Sequence, residues 1–301
     1  GFSIHLQSIF LFYICFGIIS GIGLGLGYIT PVGTVLKWFP DKPGFASGLI
    51  IMSFAFGSII ASQVITPLTQ SFGVANAFYI LGIVYFIFML LAALYLESPV
   101  NTLASKTTSN TISAPEKSTI FKESRFYSLW LLLFLNTICG IGIISKAAIL
   151  GKEFANLEGS QVILFVGLIG LSNGLGRLFW SSISDKIGRW NTFMTFLIIE
   201  LICFAALAFT TNALLFQILV FVIISCYGGA FATIPAFIRD IFGTEQVGSV
   251  LGYVLTAWAA AGIVGPILIT LTHSATIFLL FSAIISIAIA VGIELKRKIT
   301  V

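Results

Sequence analysis

The sequence predicts an all-α polytopic membrane protein, and three observations carry that expectation. Of the 301 residues, 58% are hydrophobic and only 9% charged, where a soluble domain carries about 25% charged residues. The mean hydropathy is +1.09. The apolar residues gather in nine continuous runs, near 8–37, 44–66, 76–96, 126–150, 160–183, 191–210, 213–238, 247–271 and 275–294. Each is close to the about 20 residues that a helix needs to cross a bilayer. Barrel strands would instead alternate over short segments.

The connections between runs alternate in character. One side takes Lys37-Trp38-Phe39-Pro40-Asp41-Lys42, a polar segment over 97–125, Asp185 to Arg189, Arg239 to Glu245, and Lys296-Arg297-Lys298. The other takes Ser71-Phe72-Gly73, the loop with Lys152 and Glu153, Thr211-Asn212 and Thr272-His273-Ser274. Nearly all Lys and Arg outside the runs lie on the first side, which the positive-inside rule makes cytoplasmic. The expected location is therefore the cell membrane, with the linker and the C-terminus cytoplasmic. Segment 97–125 is rich in Ser, Thr, Asn and Lys, holds Pro99 and Pro115 and has no apolar period. It reads as a flexible linker between three helices (1–96) and six (126–301).

The four cysteines, Cys15, Cys139, Cys203 and Cys226, are isolated in apolar runs and read as packing residues. No metal cluster, phosphate loop or Ser/His/Asp set is present, so the sequence points to no enzyme and no cofactor. The net charge of +4 comes from few residues and is no nucleic-acid footprint.

An internal repeat organises the helices. At an offset of 204 residues, Pro31 meets Pro235, Trp38 meets Phe242, Gly44 meets Gly248 and Gly48 meets Gly252. Each pair meets a positional need: a helix-breaking Pro near the inner end, an interfacial aromatic, and glycines for turn and close packing. The copies lie six helices apart. Six-helix parallel repeats build the major facilitator transporters, so the sequence reads as the last nine of twelve helices.

Two motifs carry a family resemblance. Ser184-Asp185-Lys186-Ile187-Gly188-Arg189 resembles the short loop motif of the major facilitator superfamily. Within it, Gly21-Ile22-Gly23-Leu24-Gly25-Leu26-Gly27-Tyr28-Ile29-Thr30-Pro31, running into Lys37-Trp38-Phe39-Pro40-Asp41-Lys42-Pro43-Gly44, resembles the oxalate/formate antiporter family. Phe231-Ala232-Thr233-Ile234-Pro235 and Asp240-Ile241-Phe242-Gly243 agree with it, whereas Pro43 departs from the family's usual Arg. The resemblance implies a secondary carrier of small carboxylate anions, acting as a monomer in the lipid bilayer by alternating access. Read from its spacing, the glycine run is a face for close helix approach.

Arg177 lies two helical turns before Asp185, roughly 12 Å inside the apolar edge. A fixed charge at that depth marks a substrate or ion path, and a guanidinium can hold a carboxylate in bidentate form. The resemblance implies that Arg177 pairs with the substrate carboxylate. Asn173, one turn earlier, offers an amide either to the ligand or to a neighbouring helix. Tyr28, Tyr227 and Phe231 match pocket-lining aromatics of the family, although helical spacing alone more often describes packing. Trp258 stands where the family's oxalate carrier has a second cation, which favours a monocarboxylate over oxalate. Lys146 is a replacement cation or an interfacial anchor. Asp185, Lys186 and Arg189 are expected at the inward gate. Glu200 lies near mid-membrane and is open to proton coupling, to a polar partner or to an inert neutral state. A carboxylate sensor without transport and a proton-coupled drug antiporter remain alternatives, the second resting on Glu200.

Overall fold

The computed structural model describes residues 1–99, 120–272 and 275–300, so most of the expected linker and His273-Ser274 lie outside the described residues. A short helix α1 (Phe2–His5) precedes α2 (Ile9–Phe12), which continues through a π-helical stretch at Tyr13–Ile19 into α3 (Ser20–Trp38). Then follow α4 (Pro43–Tyr95), α5 (Ser124–Ser145), α6 (Ala147–Ala155), α7 (Ser160–Ile187), α8 (Arg189–Leu207) and α9 (Ala213–Phe242). A single 3₁₀ turn at Thr244–Gln246 leads into α10 (Val247–Val254), α11 (Thr256–Leu271) and α12 (Thr276–Thr300). No strand occurs among the described residues. Eight of the described helical spans are long and apolar enough to cross a membrane, and Pro43–Gly57 is a shorter apolar stretch.

Local sequence explains the boundaries. Asn212 caps α9, its Oδ1 accepting from the N–H of Leu214 and Leu215 at 3.0 Å each. The expected break at Ser71-Phe72-Gly73 narrows to one residue: Gly73 is non-helical at φ 77° and ψ 162°, so α4 is two helices meeting at a kink. The expected Asp185–Arg189 hairpin also narrows. Asp185 and Lys186 remain helical, and the reversal falls on Gly188 at φ 88° and ψ 151°, a region closed to most side chains. Lys152 and Glu153, expected in a loop, belong to α6. The offset of 204 keeps its meaning in three dimensions: α3 and α9 end on Trp38 and Phe242, and Gly44 and Gly248 sit in the first turns of α4 and α10.

Helix packing sets the scaffold. α7 lies most extensively against α9, α5 against α11, and α12 against both α8 and α5. The two sequence groups meet where α4 crosses α7 and α9, and where α3 meets α10. Small residues allow the closest approaches. A Cβ on Gly176 would collide with the Ser225 backbone, standing 2.6 Å from its Cα, and one on Gly229 would fall 2.5 Å from Trp180 Cβ. The glycine run of α3 behaves otherwise. A Cβ at Gly21, Gly23 or Gly25 would meet nothing within 4 Å among the described residues, and at Gly27 only Met89 Cε at 3.4 Å. No described helix lies across the first three of those glycines.

Gly176→Leu should thus be costly, because backbone faces backbone and neither helix can yield; overpacking of this kind costs about 1–3 kcal/mol or more. Gly167→Leu, on the same helix with nothing within 4 Å, should be silent. Thermal unfolding of the two purified variants checks this, with a drop of several degrees expected for the first only.

Candidate functional site

The singled-out residues converge around Arg177, at the contact between α4 and α7. Its Nη1–H donates to the Ile51 carbonyl on α4 at 2.8 Å. Its guanidinium carbon stands 5.7 Å from the centre of the Phe231 ring on α9, a cation–π distance. Phe231 is flanked by Tyr28 of α3 at 5.8 Å and by Trp258 of α11 at 6.1 Å between ring centres. Trp258 Nε1–H donates to Tyr227 Oη at 3.3 Å, and Tyr28 packs on Phe54 at 5.5 Å. Both sequence groups therefore contribute: Tyr28, Ile51 and Phe54 from the first, Arg177, Tyr227, Phe231 and Trp258 from the second.

Three polar atoms in this cluster are buried without a hydrogen-bond partner among the described residues: Arg177 Nε, Tyr28 Oη and Asn173 Oδ1. Unpaired buried donors are uncommon and call for an explanation. Arg177 Nε and Tyr28 Oη are donors, and both groups touch Phe231, so an acceptor-rich ligand would satisfy them. Asn173 lies against α9, where a Cβ on Gly228 would come 2.6 Å from its Oδ1. No acidic side chain pairs with Arg177 among the described residues; its partners are a carbonyl and a ring face.

Lys146 stands apart. It caps the junction of α5 and α6 and lines a cleft of about 250 Å³ together with Glu153 and Thr270. On α5 it is Gly140 that meets Tyr227, and Lys146 lies six residues, about 9 Å of helix, farther on. Glu200 is elsewhere again: buried in α8, its Oε2 accepts from Asn136 Nδ2 of α5 at 2.6 Å.

The basic end is closed by a charged network. The Asp185 carboxylate accepts from the N–H of Gly44 at 2.8 Å and of Phe45 at 2.7 Å, covering the first turn of α4. A carboxylate there also meets the positive end of the helix dipole. Arg189 is 8% exposed and holds Asp185 at 2.7 Å, Asp240 at 3.1 Å and the Ser184 hydroxyl. Gly44 and Gly48 have no room for a Cβ against Ser181 and its neighbours. Lys186 is exposed, outside this network. Lys37 and Glu245 at 3.6 Å, and Arg239 Nη1–H donating to the Pro40 carbonyl at 2.9 Å, add contacts across the same end.

Several of these partners carry no sequence signal of their own. Ile51 acts through its backbone carbonyl, and Phe45 through its backbone N–H. Asp240 and Asn136 were visible as polar residues in or beside apolar runs, and that alone could have flagged them.

Residues 1–266 match the family model described as Major Facilitator Superfamily. The chain is 28% identical over 251 residues to the oxalate:formate antiporter of Oxalobacter formigenes, covering 82% of this chain and 59% of that protein. It is 24% identical over 321 residues to apicoplast pyruvate carrier 1 of Toxoplasma gondii, covering 86% and 59%. It thus spans about three fifths of the length of these relatives. A bacterial homologue of the iron transporter ferroportin in an outward-facing state shares the fold, with a TM-score of 0.62, 14% identity, and coverage of 90% of this chain and 69% of that one.

Loss of the Asp185 carboxylate leaves Arg189 buried with one fewer partner, a change that costs about 3 kcal/mol. Asp185→Ala should therefore loosen the basic end. A cysteine placed at Ser47, which is fully buried there against the Ala232 carbonyl, should then react severalfold faster with a maleimide in the detergent-purified protein.

Proposed function

This chain belongs to the Major Facilitator Superfamily, and on that premise we propose that it carries small carboxylate anions across the cytoplasmic membrane by alternating access, monocarboxylates in preference to oxalate. The observation that carries the reading is Arg177. Its guanidinium lies where the two helical groups meet and, among the described residues, keeps one N–H without a protein partner and faces rings instead of acids. A carboxylate supplies the missing counter-charge, and the planar donor fork suits its two oxygens. Tyr28 Oη adds a donor, and Phe231, Tyr227 and Trp258 would wall the organic part of the ligand. One cation matches one carboxylate. The relatives named for oxalate, formate and pyruvate belong to the same substrate class.

Alternating access needs closure at one end while the other opens. The Asp185–Arg189–Asp240 network and its grip on the first turn of α4 would be the closure on the basic side, which the positive-inside rule makes cytoplasmic. A drug/proton antiporter would want an acid in the pocket. Glu200 is engaged by Asn136 between α5 and α8, which argues against that reading.

Arg177→Gln should weaken carboxylate binding by about 2–5 kcal/mol, or about 30- to several-thousand-fold. Arg177→Lys keeps the charge without the fork and should weaken it less. Ligand-induced thermal stabilisation of the purified protein by lactate, pyruvate and formate measures both. Equal stabilisation of Arg177→Gln and the parent would sink the assignment.

A further inference from the structure

We propose that the basic end of the α5–α12 contact is a binding site for an anionic phospholipid, separate from the substrate pathway. Two adjoining clefts make up the site. The first, of about 700 Å³, opens at the start of α5 and is lined by Lys122, Arg125, Arg297 and Lys298 together with Glu123 and Ser124. The second, of about 420 Å³, runs along the bundle between α5 and α12 and is walled by Tyr127, Leu131, Ile287, Ala290 and Val291. Ser124 and Lys298 line both, so the charged mouth leads directly into the apolar groove.

The charges favour an anion. Four cations face two carboxylates: Glu123 pairs with Arg125 at 2.7 Å, and Glu294 is shared by Arg297 at 3.9 Å and Lys298 at 3.6 Å. Lys122 is exposed and has no ion pair among the described residues. Arg297 is 77% exposed at its side chain, and its distance to Glu294 is at the limit of an ion pair. Both remain available to a headgroup phosphate. Lys296 turns away, its Nζ 4.1 Å from the centre of the Trp190 ring, so the cluster is arranged on one face of α12 and is not a uniform basic tail.

The groove favours a lipid over a free anion. Ile287 is 55% exposed and Tyr127 54%, on helix faces that run from the basic end towards the bundle's middle. A soluble phosphate would use the mouth alone, whereas the groove runs along two helices long and apolar enough to span the bilayer and so opens to acyl chains. A phospholipid matches both parts at once, with its phosphate among Lys122, Arg297 and Lys298 and an acyl chain along Leu131, Ile287 and Ala290. Basic pockets between membrane helices recognise anionic headgroups in this way.

The test is thermal unfolding of the purified protein in a neutral detergent, titrated with phosphatidylglycerol, phosphatidylcholine or inorganic phosphate. Lipid retained through purification is measured in parallel by native mass spectrometry. Phosphatidylglycerol should stabilise the parent more than phosphatidylcholine does. Each surface cation contributes about fivefold in affinity, so the triple variant Lys122→Gln/Arg297→Gln/Lys298→Gln should bind phosphatidylglycerol on the order of a hundredfold more weakly. All three are surface groups, so the fold should persist. Ala290→Trp fills the groove and should reduce phosphatidylglycerol retention while leaving the cations intact. Retention of phosphatidylglycerol by the triple variant at the parent's level would overturn the proposal. So would equal stabilisation by inorganic phosphate, which would make this a simple anion site.

Discussion

A guanidinium inside an apolar bundle is the constraint from which the rest of the arrangement follows. It cannot shed its proton and is costly to leave unsatisfied. Arg177 meets that demand in part through the Ile51 carbonyl and the Phe231 ring. Both lie on other helices, so the charge can be housed only where α4, α7 and α9 come together. The close α7–α9 approach through Gly176, Gly228 and Gly229 brings Phe231 beneath it, and the fit of Gly44 and Gly48 against Ser181 brings Ile51 across. Packing of small residues and satisfaction of one charge are thus the same problem solved once.

The same helix carries both ends of the proposed mechanism. Arg177 lies in the middle of α7, and Asp185 in its last turn bonds to the first turn of α4. Two turns of a stiff helix link the candidate ligand site to the closure at the basic end. A ligand that drew Arg177 away from Ile51 would act on the α4–α7 contact that Asp185 holds. The Asn136–Glu200 bond ties α5 to α8 and includes neither Arg177 nor Asp185.

The helices were legible in the sequence because bilayer-length apolar runs have few alternatives. The repeat was legible because Pro, aromatic and Gly each answer a need at a fixed position, and the ends of α3 and α9 fall on Trp38 and Phe242 accordingly. Arg177 was visible through depth alone. What surrounds it was visible only as residue type: the meeting of Tyr28, Phe231 and Trp258 depends on three helices whose crossing the sequence does not encode locally. For the α3 glycines spacing marks a face, since small residues at intervals of four permit close packing without naming the helix that would lie across them. For Lys146 the sequence left a replacement cation and an interfacial anchor open, and its place at a helix junction is set by where α5 ends. Partners that act through the backbone, Ile51 and the Gly44 and Phe45 amides, lay beyond any reading of side chains.

A single cation in an aromatic surround would select a carboxylate with one charge. Trp258 is the residue on which this turns, since it donates to Tyr227 Oη and packs at a tilt beside Phe231. The direct measurement is binding of lactate, lactamide and oxalate to the purified parent and to Trp258→Lys. The parent should prefer lactate to both the neutral amide and the dianion, and Trp258→Lys should shift preference towards oxalate by about tenfold or more, as a second close ion pair of about 1.4 kcal/mol would give. A parent that binds lactamide as well as lactate, or oxalate more tightly than lactate, would contradict it.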